Sequence, residues 1–107
     1  MPSFVCPDHG VESVRTITAY RHRWDCPVAG CTWRCWDGQT STPADNELCQ
    51  LRAECHRQFD ALPYMRRQRY KWLAETTGLS QQESHIGMFS KEQCRELLRK
   101  MEDIQHV

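Results

Sequence analysis

Two short motifs near the start of the chain, Cys6-Pro-Asp-His9 and Cys26-Pro-Val-Ala-Gly-Cys31, constrain its folding more than any other feature. Each offers a close-spaced pair of thiol or imidazole donors, and the stretch between them is long enough for a hairpin. Tetrahedral zinc takes sulfur at about 2.3 Å and imidazole nitrogen at about 2.0 Å, so four such donors must converge on one point. A short loop delivers two of them at once only if it turns sharply. Pro7 and Gly10 supply that turn in the first loop, and Pro27 and Gly30 supply it in the second. The expected ligands of one structural zinc ion are Cys6, His9, Cys26 and Cys31. Cys35 is the chief rival, since it lies on the exit strand and could replace Cys31 or His9; alternation puts Cys31, Trp33 and Cys35 on the same side of that strand, so Cys35 could also simply pack beneath the site.

A metal staple suits a chain of this size. With 107 residues and 39% apolar content, it can bury one modest core but hardly two independent ones. Fourteen basic residues balance fourteen acidic ones, so no global field draws the chain to nucleic acid. A local excess does occur between Pro63 and Gly78, where Arg66, Arg67, Arg69 and Lys71 stand against Glu75. Seven cysteines form an odd set, the N-terminus lacks the apolar core of a signal peptide, and no run reaches the length of a membrane span. These features predict a reducing cytoplasm, where paired cysteines more often hold metal than form disulfides.

In chain order, the β-branched run Val11–Tyr20 and the return Arg21–Asp25 predict a hairpin between the two loops, and Thr32–Trp36 predicts a third short strand. The result resembles a zinc ribbon. Polar Gln39–Pro43 then marks the passage to a helical remainder. Thr42 as N-cap and Pro43 as first helical residue predict a helix over 43–62, with Ala44, Leu48, Leu51, Cys55, Phe59 and Leu62 as its apolar stripe. After Pro63, a second helix is expected from Met65 or Arg66 to Thr77, with Tyr70, Leu73 and Ala74 inward and Gly78 as its stop. Leu79–Phe89 reads as a connector with a turn at Ser80 and Glu83. Ser90 and Gln93 form a capping box for a last helix carrying Cys94, Leu97, Leu98, Met101 and Ile104. The expected class is α+β: a zinc-ribbon-like module over 1–38, with a helical part over 39–107 packed on it in a single compact domain.

The series Leu51-Arg52, His56, Phe59-Asp60, Tyr70-Lys71-Trp72-Leu73-Ala74, His85-Ile86-Gly87-Met88-Phe89 and Cys94, following the two donor pairs, resembles a family of small bacteriophage proteins described as zinc-finger-containing and of unknown function. The likeness spans nearly the whole chain. It departs from that family's pattern at the first pair, usually two cysteines, and at the second, which is spaced wider here. The resemblance implies a fold and a metal, and no reaction.

Three functions follow as expectations. The first is a non-enzymatic, zinc-binding phage accessory protein in the host cytoplasm that binds a macromolecule, foremost a host protein. The second is nucleic-acid binding through interleaved arginines and tryptophans, namely Arg21, Arg23, Trp24, Trp33, Arg34 and Trp36, extended by Arg66, Arg67 and Arg69. On the blander reading, these tryptophans simply pack against the helices. The third is a metal-dependent nuclease using His56, Asp60 and His85, set against a polar network that only fixes helix packing.

Overall fold

A computed structural model describes residues 3–17, 19, 22–37, 41–80 and 84–105. Three antiparallel strands precede three helices: β1 (Val14–Ile17), β2 (His22–Asp25), β3 (Arg34–Trp36), α1 (Asn46–Asp60), α2 (Arg66–Thr77) and α3 (Lys91–Gln105), with a 3-10 turn at Ile86–Met88. The α+β class expected from sequence is the one observed. The chain divides into two compact units, Met1–Cys49 and Gln50–Val107, and the division falls inside α1.

In the first unit, the strands lie in the order β1-β2-β3. Val14 pairs with Asp25 and Ile17 with His22, while Arg23 pairs with Trp36 and Trp24 with Cys35. Residues 18–21 join β1 to β2, and Thr18, Tyr20 and Arg21 lie outside the described residues. The third strand is shorter than expected. It starts at Arg34 because the preceding residues belong to a loop around Cys31, so the alternation that grouped Cys31 with Cys35 does not apply.

The first helix also starts later than its sequence signals suggest. The N–H and C=O of Ala44 both bond the backbone of Arg34, at 2.8 and 2.9 Å, in an isolated bridge. A residue paired in this way is unavailable to a helix, so Thr42 and Pro43 stay outside. Asp45 caps instead, its carboxylate accepting from the Leu48 N–H at 2.9 Å. At the other end α1 stops at Asp60, and Ala61 and Leu62 close with tighter bonds to Gln58 and Phe59 before Pro63, which disfavours helical backbone at the residue preceding it.

The second unit buries Cys55, Phe59, Leu62, Leu73, Ile86, Phe89, Cys94, Leu97 and Met101. Most of these lie on the helical stripes expected for α1 and α3. Phe59 and Tyr70 pack in a T-shaped arrangement with ring centroids 5.2 Å apart, and the Arg69 guanidinium lies 5.8 Å from the Phe59 ring. Tyr70 nevertheless remains exposed, contrary to its expected inward position, although its ring touches the buried Phe59. Gly78 ends α2 at φ 72°, donating to Ala74 O at 2.9 Å, as a left-handed helix stop requires. At α3 the capping box is present in both directions: Gln93 N–H donates to Ser90 Oγ at 3.2 Å and Ser90 N–H to Gln93 Oε1 at 2.8 Å. The connector's turn forms at Ile86–Met88; the expected box at Ser80 involves Glu83, which lies outside the described residues. Among the described residues, no helix is long and apolar enough to cross a membrane.

Candidate metal centre

Both donor-bearing loops are built the same way. In the first, Cys6 N–H donates to Val11 O at 2.9 Å and Gly10 N–H returns to Cys6 O at 2.8 Å, with Gly10 at φ 68°. In the second, Cys26 N–H donates to Trp33 O at 3.0 Å and Cys31 N–H to Val28 O at 3.1 Å, with Gly30 at φ 83°. A left-handed glycine lets each loop reverse and bring both donors to one side without the steric cost of a Cβ.

The four donor atoms of Cys6, His9, Cys26 and Cys31 lie within 4.8 Å of one another. Cys6 Sγ is 3.7 Å from Cys31 Sγ, and His9 Nδ1 is 3.5 Å from Cys6 Sγ and 3.6 Å from Cys26 Sγ. For comparison, a zinc-centred tetrahedron has S···S edges of about 3.8 Å and S···N edges of about 3.5 Å. The cluster therefore has the dimensions and donor chemistry of a closed zinc site, and Nδ1 is the histidine atom turned toward it. Cys6 and Cys26 are buried, Cys31 is half-buried and His9 is exposed.

The electrostatics of the cluster fit a cation. Burial pushes the Cys6 thiol up, but hydrogen bonds from His9, from the backbone N–H groups of Asp8 and His9, and with Cys26 outweigh it and bring the thiol down to about 7. Cys26 goes the other way, pushed up to about 11 by burial and by the neighbouring sulfurs of Cys31 and Cys6, against a single backbone bond from Val28. Three crowded sulfurs cannot all ionise without a positive charge between them. A divalent ion would supply that charge.

Cys35 is not part of the cluster. It is buried, with its thiol 3.6 Å from Trp36 O and 3.8 Å from Ser41 O. His9, and not Cys35, is the fourth donor of the candidate cluster. Among the described residues, His56, Asp60 and His85 form no metal-competent group, and His56 and Asp60 are exposed.

The arginines and tryptophans singled out in the sequence are dispersed. Strand alternation puts Arg23, Arg34 and Trp36 on one face of the sheet and Trp24 on the other. Arg23 stacks over Trp36 at 5.2 Å and pairs with Asp25 at 3.0 Å. Arg34 donates to Thr32 O at 3.0 Å and to Asn46 Oδ1 at 2.7 Å. The Trp24 indole nitrogen is buried without a hydrogen-bond partner. Trp33 lies beside the metal loops and donates from Nε1 to Asp8 Oδ2 at 2.9 Å. In the second unit Arg69 is turned inward to Tyr64 O at 3.0 Å, whereas Arg66 and Arg67 are exposed. Arg21 lies outside the described residues. The Asp8 to Trp33 bond was not anticipated from sequence, since nothing in the local spacing links those two residues.

Residues 14–104 match the family model of a zinc-finger-containing domain. The matched span holds Cys26 and Cys31 and begins after Cys6 and His9, so the first donor pair rests on the geometry described above. No curated protein and no solved structure matches the chain.

Proposed function

The chain belongs to the family of zinc-finger-containing domains, and from that premise we propose that it is a non-enzymatic, zinc-binding phage accessory protein whose fold displays a surface for a macromolecule, foremost a host protein. The observation that carries this reading is the closed donor set. Three sulfurs and one imidazole would together take all four positions of a tetrahedral ion and leave none for a reacting water, as in structural sites. The phage role rests on the resemblance of the motif series from Leu51 to Cys94.

A protein partner is favoured over nucleic acid by what the surface offers. Arg23, Arg34 and Arg69 are all engaged within the fold. By contrast Ile17 is 78% and Met65 76% exposed, with Val5 and Val14 also open to solvent. An apolar side chain can be buried against the apolar surface of a protein, which a phosphate backbone does not offer.

The test uses the zinc-loaded full chain. Anisotropy titrations with single- and double-stranded DNA and RNA should show no binding at low salt. Capture from nuclease-treated host lysate should retain a protein that Met65→Asp or Ile17→Asp releases. Nucleic-acid binding that falls steeply with salt would overturn the protein reading in favour of the arginine surface.

A further inference from the structure

We infer that Asp8 and Trp33 form a clamp that braces the two donor loops around the metal centre, with Trp33 as its positioning residue; this rests on the zinc reading above. Trp33 is bonded to both donor loops at once. Its carbonyl accepts from the N–H of Cys26 at 3.0 Å, which fixes the backbone of one ligand in the second loop. Its indole Nε1 reaches across to the first loop and donates to Asp8 Oδ2 at 2.9 Å. Asp8 sits between the ligands Cys6 and His9, and its own N–H bonds the Cys6 sulfur.

The connections therefore form a continuous path around the ion's position. It runs from the Cys6 sulfur to the Asp8 backbone, through the Asp8 carboxylate to the Trp33 indole, and back through the Trp33 carbonyl to Cys26. Apart from the donors' own contacts, this is the cross-loop side-chain bond seen among the described residues of the two loops. Linking the two loops across the ion's position adds a contact that forms as the site closes, and it slows the opening through which the ion leaves. Trp36 provides an internal comparison, because it belongs to β3 and its ring stacks on Arg23 of the neighbouring strand, whereas the Asp8 carboxylate accepts from Trp33.

Competition against a chromogenic chelator measures zinc affinity, and transfer to excess chelator measures release. In the full chain, Trp33→Phe keeps the ring and removes the N–H, while Asp8→Ala removes the acceptor. Each should weaken zinc binding about tenfold, the lower end of the range for outer-shell partners because the bond is exposed to water, and should speed release similarly. The double variant should be no weaker than either single one, Asp8→Asn should retain most of the affinity through its amide oxygen, and Trp36→Phe should bind as the native chain does.

Native-like affinity and release in both Trp33→Phe and Asp8→Ala would overturn the clamp while leaving the metal reading intact. Additive losses in the double variant would overturn it too, by showing that the residues act separately. A native chain that takes up no zinc would overturn both readings. If Trp33→Phe fails to fold, the Asp8→Ala and Asp8→Asn pair decides, since a clamp requires the first to lose affinity and the second to keep it.

Discussion

Stripping zinc from the full chain should dissolve Met1–Cys49 while the helices of Gln50–Val107 persist. Among the described residues, the apolar ones buried in the first unit are Cys6, Cys26, Cys35, Ala44 and Leu48, and the first two belong to the candidate donor cluster. Leu48 is the one large aliphatic side chain among them, and its burial is worth about 1.5–3 kcal/mol. A structural zinc ion contributes about 10–16 kcal/mol of apparent binding free energy, against a net stability of about 5–15 kcal/mol for a whole domain. Loss of the ion therefore exceeds what the remaining contacts of this unit supply. None of the second unit's buried side chains, among them Phe59, Leu73, Phe89 and Leu97, is a donor of the cluster. Amide hydrogen exchange with and without chelator reads the two units separately. The N–H groups of Cys6 and Cys26, bonded to Val11 O and Trp33 O, should lose protection on chelation, while amides in the middle of α3 keep theirs. If the Cys6 and Cys26 amides stayed protected in demonstrably metal-free protein, the reasoning would be refuted.

Zinc binding should weaken as pH falls, because uptake at neutral pH displaces a proton from Cys26, held up at about 11, and below about 7 also one from Cys6. The expected loss is about tenfold per pH unit from Cys26 alone, steepening below about pH 7, and chelator competition across that range would expose a flat profile. Replacing Phe59 with alanine should destabilise the second unit by about 3–5 kcal/mol, since it opens a cavity and removes the edge contact with Tyr70. Phe59→Leu should cost clearly less, and equal urea midpoints for the two variants would contradict this packing.

Local chemistry made much of the molecule legible in advance. Gly78 and the reciprocal pair of Ser90 and Gln93 mark helix ends through bonds a few residues long, so their residue types suffice to place them. The periodic apolar positions of α1 and α3 likewise specify which face is buried. The donor spacing in Cys6-Pro-Asp-His9 and Cys26 to Cys31 identified the candidate centre for the same reason: each loop turns on its own glycine. What depended on partners distant in sequence was not legible. Thr42 and Pro43 carry good helix-start signals, but Ala44 is held by Arg34 in the sheet, so Asp45 becomes the cap.

Tertiary structure alone decided three further matters. It excluded Cys35 from the cluster, because the strand that carries it begins only after the second loop has closed. It separated Trp24 from Arg23, Arg34 and Trp36, because pairing register, and not order along the chain, assigns each side chain to a face of the sheet. It also joined Asp8 to Trp33, a bond between residues far apart in sequence that no local periodicity encodes. Sequence by itself determined which atoms were available to bind a metal and where the chain could turn. Their arrangement into one centre required the sheet to bring two distant loops together, and loop closure over that distance is a property of the whole fold.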